Sequence, residues 1–422
     1  MTVQARWPSV RLSRLVDVVD GPFGSNLMSS HYTDTGARVV RLGNVGAAQF
    51  KDDVRAFISV PHFGELRRHE VLAGDVLVAG LGDEKHALGR ACIAPANLGL
   101  ALVKADCFRF RMAGDKLDSR FLMWFLNSDL AATSIQLESR GATRQRATPG
   151  AICAISIPLP GLEEQRRIAG FLDNQVALLD RAITLRQQQL FLMKQEFVGL
   201  ADSLLSLPAT GVHVRLGYLL SRVTSGPRGW GDFVTTEGVP FFRSANLRRD
   251  TLTPRLTNLE YVKPPASAAA EQSRASAQQG DVLVGITGAN AGWVTHVADP
   301  ALFGAVVSQH VALVRPDGRV LDGRWLAHLL SSQGSADQLM AMQYGGTKTQ
   351  LSLPNLRDLR VPKVDLIQQR KTAHMLDEAA ESLRQYQDAS GHLISLLQER
   401  KQALITAAVT GKFDVTTARS VA

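Results

Sequence analysis

The chain has 422 residues, 45% of them hydrophobic and 20% charged, which is enough apolar material for two ordinary domains with folded cores. Lysine and arginine number 47 against 39 acidic residues, so the net charge of +8 favours a polyanionic partner without proving one. No apolar run reaches the roughly 18 residues of a membrane span, and the first residues lack the apolar region of a signal peptide. We therefore expect a cytoplasmic protein with no membrane partner.

Each half of the chain opens with short β-like runs separated by glycine and proline. These runs cover 39–45 and 76–78 in the first half, and 239–247 and 282–286 in the second. A compact amphipathic helix follows at 119–127 and at 323–331. A polar loop at 141–146 or 345–350 then leads to a short apolar strand that ends near Pro158 or Pro362. This order predicts α+β domains with small irregular sheets.

The second half repeats the first about 200 residues later. Residues 143–158 align with 347–362 without a gap, and the same offset of 204 residues carries Asp173 onto Asp377. Further upstream, GDVLV at 74–78 matches GDVLV at 280–284, and Gly-Pro at 21–22 matches Gly-Pro at 226–227. Solenoid repeats have periods of roughly 20–50 residues. The long period instead indicates a duplicated domain, which favours a target with two related parts.

The spacing of apolar residues changes from Glu163 onward to steps of four and three, which is typical of a coiled-coil seam. In the first copy the seam residues are Leu172, Val176, Leu179, Ile183, Leu190, Met193, Phe197, Leu200 and Leu204, interrupted by Arg186. In the second copy they are Leu376, Ala380, Leu383, Ile394, Leu397, Leu404 and Ala408, interrupted by Gln387, Ser390 and Lys401. Glycines at 170, 199 and 391 favour local bends.

These patterns divide the chain into a first globular domain at 1–160, a central helix at 161–206, a second globular domain at 207–362, and a C-terminal helix with its tail at 363–422. A helix of this length spans roughly 60 Å, so the second domain begins far from the first. The second helix must run back to bury its seam against the first. The fold class is therefore α+β, with two duplicated α/β domains joined by two long antiparallel coiled-coil helices.

Motifs for catalysis are absent from the sequence. It has no GxxxxGK[ST] phosphate loop, and Lys85 stands where the dinucleotide fingerprint after Gly80 needs its third glycine. Neither a loop for S-adenosylmethionine nor the [DN]PP[YF] tetrapeptide of adenine methyltransferases is found. The isolated His31, His86 and His310 lack metal-ligand spacing, and Cys92, Cys107 and Cys153 are expected to be buried thiols in a reducing compartment. We expect no catalysis and no cofactor in this chain.

The ordered set of motifs resembles the specificity subunit of type I restriction–modification systems. The set comprises GPxG, an Arg-x-x-Asn strand end, GDVLV, a GGT-like loop and a Gln-Arg helix start, each present twice, with long helices between. The second half is the closer match, and Glu399 to Ile405 followed by Thr410-Gly411-Lys412 is similar to the end of that family's chains. The first half has Gly141-Ala142-Thr143 for GGT and Phe23-Gly24-Ser25 where Arg-Gly-Trp stands in the second.

The resemblance implies two target-recognition domains that each read half of a split sequence in double-stranded DNA. It also implies that the helices set the distance between the half-sites and bind two methyltransferase subunits, which bring S-adenosylmethionine and methylate adenine. Restriction subunits would add ATP hydrolysis and cleavage in phage defence. One alternative is a helical scaffold without sequence specificity. Another is a self-contained methyltransferase, and the missing motifs weigh against this second alternative.

The expected DNA contacts lie in loops and at strand ends, where side chains reach the major groove. For the polar loops these residues are Thr143, Arg144, Gln145, Arg146, Thr347, Lys348, Thr349 and Gln350. Arg41, Arg243 and Asn246 are assigned to DNA contact, with capping of the strand end as the alternative. Arg228 and Trp230 are assigned likewise, with packing against the Gly-Pro turn as the alternative. The sequence identifies neither the half-sites nor the spacer.

Overall fold

The computed structural model describes residues 7–138, 145–206, 211–342 and 350–416. The chain divides into two compact units, which are Met1–Arg186 with His392–Ala422, and Gln187–Gly391. Each unit contains its own sheets and a part of each long helix. Within the described ranges, no helix is both long enough and apolar enough to cross a membrane.

The first unit is built from short strands, four short helices and most of a long one. Its strands are β1 (Ser9–Arg11), β2 (Val16–Asp20), β3 (Tyr32–Thr33), β4 (Ala37–Val40), β5 (Phe57–Ile58), β6 (Val76–Ala79), β7 (Leu81–Gly82), β8 (Ala91–Ile93), β9 (Ala101–Val103), β10 (Cys107–Met112), β11 (Gln145–Arg146) and β12 (Ser156–Pro158). Its helices are α1 (Val60–Glu65), α2 (Ser119–Leu126), α3 (Asp129–Glu138), α4 (Pro149–Ala154) and α5 (Leu162–Ser206), whose last part lies in the second unit.

The second unit follows the same plan. Its strands are β13 (His213–Arg215), β14 (Leu220–Ser225), β15 (Val234–Thr235), β16 (Val239–Phe242), β17 (Glu260–Val262), β18 (Val282–Gly285), β19 (Val294–His296), β20 (Val306–Val307), β21 (Val311–Pro316) and β22 (Arg360–Pro362). Its helices are α6 (Ala269–Ala275), α7 (Gly323–Ser331), α8 (Gln333–Ala341), α9 (Leu353–Asp358) and α10 (Leu366–Val409), whose last part lies in the first unit.

The sheet topology is duplicated strand for strand. The order β2-β10-β6-β8 in the first unit corresponds to β14-β21-β18-β19 in the second, and β3-β5-β4-β9 corresponds to β15-β17-β16-β20. In both copies the last pair of the second sheet is parallel and the other pairs are antiparallel. The ladders β1-β12 and β13-β22 close the two units. The duplicated α+β domains predicted from the sequence are confirmed.

Local predictions are confirmed for the helices and partly wrong for the strands. The amphipathic helices are α2 and α7, and the long helices begin and end within a few residues of the predicted positions. The first runs, however, stop as strands at Val40 and Phe242, and a 3-10 turn follows at Leu42–Asn44 and at Ser244–Asn246. The polar loops also contain short pairings at their ends, because Arg146 pairs with Leu81 and Gln350 with Thr287. The expectation for the thiols holds for Cys92 and Cys107, which are buried, whereas Cys153 is half-buried.

The two long helices run antiparallel within each unit. In the first unit, Phe171 lies 5.6 Å from Phe413 between ring centres, and Lys401 donates to Asp180 at 2.6 Å. In the second unit, Tyr386 contacts Gln189 at 3.3 Å, while Leu205 shares a core with Leu376. Most seam residues are buried or half-buried, but Leu200 is 40% exposed and Leu205 takes its place. The helices are continuous through the three glycines.

A buried glutamine joins each domain to the start of its long helix. Gln369 is 1% exposed, and its Oε1 accepts the Asp322 N–H at 2.7 Å while its Nε2 donates to the carbonyls of Val320 and Val364. Gln165 makes the same three bonds in the first unit, to the Asp118 N–H and to the carbonyls at 116 and 160. Because Asp118 and Asp322 are also the N-caps of α2 and α7, the glutamine holds two helix starts together.

About two turns further along, an aspartate on the long helix binds the domain helix a second time. Asp173 accepts from Arg120 and from the Trp124 indole N–H, the latter at 2.8 Å. Asp377 accepts from Arg324 at 2.8 Å and from His328 at 2.7 Å. Burial opposes ionisation of Asp377, but the hydrogen bonds from His328 and Arg324 outweigh it and lower the pKa of this carboxyl. The repeated Asp173 and Asp377 of the sequence are therefore anchoring residues.

We expect Gln369→Ala to lower the free energy of unfolding by about 2–3 kcal/mol, because it leaves buried backbone groups without partners and opens a small cavity. Urea unfolding measures the change. Gln368→Ala is the matched control, since Gln368 is the exposed neighbour, and we expect it to cost less than about 0.5 kcal/mol. Equal effects of the two variants would contradict the anchoring role of Gln369.

Candidate nucleic-acid interface

The loops that follow the strand ends lie together along one edge of each unit. Strand β10 runs antiparallel to β2 and β6, so its first residues face their last ones, with Phe108 opposite Asp20 and Cys107 opposite Ala79. The ends of the parallel pair β4 and β9 reach the same place, where the Lys104 N–H donates to the Val40 carbonyl at 2.8 Å. We call this surface edge 1, comprising residues 21–26, 41–44, 80–83, 104–106 and 145–146.

The second unit forms the equivalent surface, edge 2, from residues 226–231, 243–246, 286–288, 308–310 and 350. Strand β21 begins opposite the last residues of β14 and β18, and the Ser308 N–H donates to the Phe242 carbonyl at 2.8 Å. This bond corresponds to the one between Lys104 and Val40 in edge 1. Both edges are therefore assembled from the same strand ends.

Backbone hydrogen bonds fix the correspondence between the two edges. In edge 1, the Gly80 N–H donates to the Asp106 carbonyl at 2.8 Å, and the Gly80 carbonyl accepts from the Ala147 N–H at 2.9 Å. In edge 2, Ile286 makes both bonds, to the His310 carbonyl at 3.0 Å and from the Leu351 N–H at 2.8 Å. Asp106 therefore corresponds to His310, and Arg146 corresponds to Gln350.

The glycine of each Gly-Pro turn is required by close backbone packing. A Cβ atom on Gly21 would lie 2.0 Å from the carbonyl carbon of Lys104, and one on Gly226 would lie 1.7 Å from the carbonyl oxygen of Val307. Any side chain there would push the turn away from the neighbouring loop. The shared Gly-Pro of the two copies is thus explained by the packing of the edge.

Arg146 is the predicted DNA-contacting residue with the best-defined side-chain geometry. Its Nε and Nη2 lie 2.9 and 2.8 Å from the same oxygen of Asp106, and its guanidinium carbon lies 5.8 Å from the centre of the Phe23 ring. Asp106 is in turn held by its own amide, which donates to Asp20 Oδ1 at 3.1 Å. A strand end, two loops and the Gly-Pro turn are joined through this one side chain.

Edge 2 has a cluster of polar side chains at the same place. The ring of His310 lies between Thr287 and Gln309, with Nδ1 2.7 Å from Thr287 Oγ1 and Nε2 3.1 Å from Gln309 Nε2. Gln350, which is exposed, pairs with Thr287 through the backbone. The cluster offers amide and imidazole groups where edge 1 offers a guanidinium and a carboxylate.

A pocket of about 310 Å³ opens beside this cluster in edge 2. Pro227, Trp230 and Phe241 contribute its apolar lining, and Arg243, Ser308 and His310 are among its polar residues. Ser308 is 6% exposed, and its Oγ makes no hydrogen bond to any described residue. The pocket therefore combines an apolar surface with a buried hydroxyl that has capacity to bind.

The strand-end residues have structural roles that favour the capping alternative. Asn246 is 1% exposed, with its Oδ1 accepting the Arg243 N–H at 2.8 Å and its Nδ2 donating to the carbonyls of Arg255 and Asn258. Asn246 therefore caps the strand end in this structure, and its contact with DNA stays a prediction. Arg41 is half-buried beside the equivalent Asn44, and Arg243 is paired with Glu260.

Trp230 also packs rather than projecting outward. It is 3% exposed and lies against Phe233 with ring centres 6.1 Å apart, which favours the packing alternative, and its groove contact stays a prediction. Arg228, two residues earlier, is exposed. Thr143, Arg144, Thr347, Lys348 and Thr349 lie outside the described residues, and of Gln145 only the backbone is described, in β11.

Asp20 and Asp106 were not predicted from the sequence as parts of the site, and Phe23 was noted only as a difference from Arg228 of the second copy. The offset of 204 residues that aligns 143–158 with 347–362 would also have aligned 104–106 with 308–310, but nothing in those segments is alike in residue type. Only the fold shows that they lie together with Arg146 and with Gln350.

Asp20 lies directly before edge 1, and the pKa of its carboxyl is shifted by the fold. Burial raises its pKa to about 6, against the lowering effect of the hydrogen bonds from the Gly21 and Asp106 amides. A carboxyl whose pKa is raised by folding stabilises the fold only when it is protonated. Its contribution is complete below about pH 4 and is lost as the pH rises through about 6.

A family model and a relative both relate this chain to specificity subunits of type I restriction systems. Residues 88–190 match the type I restriction modification DNA specificity domain. The specificity subunit of the type I restriction enzyme MjaVIII from Methanocaldococcus jannaschii is 22% identical over 213 residues, which is 49% of this chain and 46% of that protein. The aligned part thus spans about half the length of this relative.

Two solved structures share the fold over nearly the whole chain. A chain from a study of complex assembly and conformational transition of the type I R-M system has a TM-score of 0.74 at 19% identity, covering 96% of this chain and 98% of that one. The HsdS subunit from Thermoanaerobacter tengcongensis has a TM-score of 0.57 at 18% identity, covering 98% and 99%. The resemblance to specificity subunits of type I restriction–modification systems, inferred from the sequence, is confirmed.

We expect Asp20→Asn to raise the free energy of unfolding at pH 8 by about 1–3 kcal/mol, because the amide keeps the Oδ1 acceptor without the buried charge. The difference from the unaltered chain should shrink as the pH falls through 6 and vanish near pH 4. Urea unfolding over this pH range measures it, with the exposed Asp34→Asn as control. A constant difference at all pH values would show that Asp20 is not the titrating group.

Proposed function

We propose that this chain is the DNA-recognition subunit of a type I restriction–modification complex, and that edge 1 and edge 2 each read one half of a split sequence. The observation that carries this proposal is the pair of edges built on one hydrogen-bonded framework with different side chains. Asp106 and Arg146 stand in edge 1 where His310 and Gln350 stand in edge 2. Two readers of the same architecture and different chemistry fit a bipartite target with two unlike halves.

The side chains on the edges are of the types that recognise base edges in the major groove. Arginine pairs with guanine and glutamine with adenine through two hydrogen bonds each, while lysine and exposed arginine neutralise phosphates. Arg146 and Gln350 are the central candidates for bases. Arg228, Arg41 and the lysine and threonines of 347–349 are candidates for phosphates or bases, as are Thr143 to Gln145.

Chemistry on the DNA would be done by other subunits. The sequence lacks the loops that bind S-adenosylmethionine and ATP. We therefore assign adenine methylation to two methyltransferase subunits, and translocation and cleavage to restriction subunits that assemble with them. This chain selects the DNA sequence and requires no cofactor for that task.

The long helices offer a surface for the methyltransferase subunits. Leu178, Leu185 and Leu192 follow one another at intervals of seven on α5, and they are 57%, 50% and 58% exposed. A spacing of seven places them on one face of a helix, outside the buried seam that contains Val176 and Ile183. Such an apolar stripe favours packing of a partner's helices against α5.

The ends of each domain lie side by side, which allows a domain to be exchanged as a unit. Ser9 pairs with Pro158 across β1 and β12, and His213 pairs with Pro362 across β13 and β22. We expect replacement of residues 7–158 by the equivalent domain of a relative to change one half-site and to leave the other as it was. Genome-wide mapping of adenine methylation, with the methyltransferase partner coexpressed, gives both half-sites in one experiment.

The reciprocal exchange of residues 213–362 is the control and should alter only the other half-site. A change of both half-sites by either exchange would contradict independent reading. Methylation without sequence preference by the unaltered complex would refute the proposed function and favour a scaffold without specificity.

The helices are proposed to set the number of unread base pairs between the half-sites. Tyr386 lies opposite Gln189, so a heptad inserted after Leu190 and a second after Gln385 lengthen facing segments and preserve the seam. Each adds up to about 10 Å of helix, or at most about three base pairs at roughly 3.4 Å each. We expect methylated sites whose spacer is longer by about one to three base pairs, with unchanged half-sites.

A control chain in which the heptads replace existing ones, without added length, should keep the original spacer. An active lengthened protein that also keeps the original spacer would show that something other than helix length sets this distance.

A further inference from the structure

The guanidinium of Arg146 has a fixed orientation. Its Nε and Nη2 side faces Asp106, and its Nη1 side faces away from that carboxylate. Nε donates to Oδ1 of Asp106 at 2.9 Å, and Nη2 lies 2.8 Å from the same oxygen in an ion pair. The described residues provide no hydrogen-bond partner for Nη1, and the side chain remains 54% exposed. The outer edge, formed by Nη1 and the second hydrogen of Nη2, therefore presents two parallel N–H groups to a partner.

A second contact keeps the plane of the guanidinium from turning. Its central carbon lies 5.8 Å from the centre of the Phe23 ring, a cation–π distance, and Phe23 is 48% exposed. An aromatic ring so exposed gains little from burial, so its position beside Arg146 points to a role at this surface.

The carboxylate that holds Arg146 is itself held rigidly at a backbone position that costs energy. Asp106 has a φ of +65°, which is unfavourable for a residue with a Cβ. Its amide donates to Asp20 Oδ1 at 3.1 Å, and its carbonyl accepts from the Gly80 N–H at 2.8 Å. Strained backbone that is fixed by its surroundings is typical of functional sites.

We propose that Arg146 reads a guanine in the half-site of the first domain, through the O6 and N7 acceptors of its major-groove edge, and that Asp106 and Phe23 are its positioning residues. The inference rests on the proposed function and deepens it by naming the base. Guanine is the base that presents two acceptors side by side in the major groove, which matches the two open N–H groups.

A phosphate contact fits this arrangement less well than a base contact. A carboxylate within 2.8 Å offsets the positive charge of Arg146, and attraction to phosphate depends on that charge. A flexible lysine can neutralise a phosphate as a point charge, so a phosphate contact does not require a fixed guanidinium plane. A bidentate contact with a base does require one, because its two hydrogen bonds form only in one orientation.

The same reasoning excludes an equivalent guanine reader at this position of the second domain. Gln350 stands where Arg146 does, and His310 stands where Asp106 does. A glutamine amide carries one donor and one acceptor side, which suits adenine rather than guanine. The guanine is therefore assigned to one half-site only, and the domain exchange described above identifies which half-site that is.

The test uses the full chain in complex with its methyltransferase partner. Methylation sites are mapped for the unaltered chain, for Arg146→Lys, for Asp106→Asn and for the control Arg166→Lys. Arg166 matches Arg146 in exposure, at 55%, and in its carboxylate partner, Glu163 at 2.7 Å, but it lies on α5. We expect one invariant G·C pair in the first half-site, and discrimination at that pair to fall about ten-fold or more in Arg146→Lys.

Asp106→Asn should relax discrimination at the same base pair by a smaller factor, roughly three-fold to ten-fold, because the fork loses its charged support but remains. Every other position of both half-sites should keep its preference in these variants. The control Arg166→Lys should keep the full motif. Equal loss of methylation on all sequences in Arg146→Lys would indicate a phosphate contact and overturn the inference.

A measurement on the unaltered protein avoids any effect of substitution on folding. Duplexes that carry 7-deazaguanine at the assigned position lack N7 but retain base pairing. We expect the rate of methyl transfer to fall about ten-fold on these duplexes, and no fall when the same analogue replaces a guanine in the spacer. An unchanged rate, or a first half-site without any G·C pair, would overturn the guanine assignment while leaving bipartite recognition intact.

Discussion

One buried glutamine in each unit fixes the domain against the start of its long helix, and the direction of the edge depends on this contact. Gln165 and Gln369 are almost fully buried, and the oxygen and nitrogen of each amide are bonded to backbone groups from the domain and from the helix start. A buried amide with every group satisfied holds one geometry, since any shift leaves a polar atom without a partner. A domain fixed in this way points its edge in a direction set by the helix, whatever side chains the edge carries.

Duplication preserved the atoms that hold the edge and changed those that face outward. The hydrogen bonds that align Gly80 with Asp106 and Ile286 with His310 use backbone groups only, so they place no demand on the side chains at these positions. The anchors tolerate exchange as well, because Trp124 and His328 both donate to the equivalent aspartate. An architecture with this division of labour acquires a new specificity through a few side chains and keeps its stability.

The sequence was sufficient to predict the duplication, the helices α2, α5, α7 and α10, and the seam, because periodicity and repeats are local or collinear signals. The predicted lengths of the strands were wrong at the Arg-x-x-Asn strand ends. There the side chain of Asn44 or Asn246 accepts a backbone N–H three residues earlier and turns the chain into a 3-10 helix. The sequence also missed the partners of Arg146, since Asp106 is 40 residues away and meets it only because strand ends converge at the edge. The predicted seam residue Leu200 is exposed, whereas Leu205 is buried in the core of the second unit.

The net charge of +8 overstates the positive charge that is free to contact DNA. Many arginines are neutralised within the fold, including Arg38 by Asp52, Arg109 by Asp17, Arg111 by Asp75, Arg315 by Asp281 and Arg384 by Glu381. Affinity for DNA comes mainly from phosphates neutralised by unpaired cations, whereas discrimination comes from base contacts. At equivalent positions, edge 1 places Asp106 beside Arg146, whereas edge 2 carries His310 and Gln350. In the proposed function these positions suit discrimination more than attraction, because the charge of Arg146 is offset by its carboxylate partner. Exposed cations elsewhere on the edges, such as Arg228, then suit the contacts to phosphate.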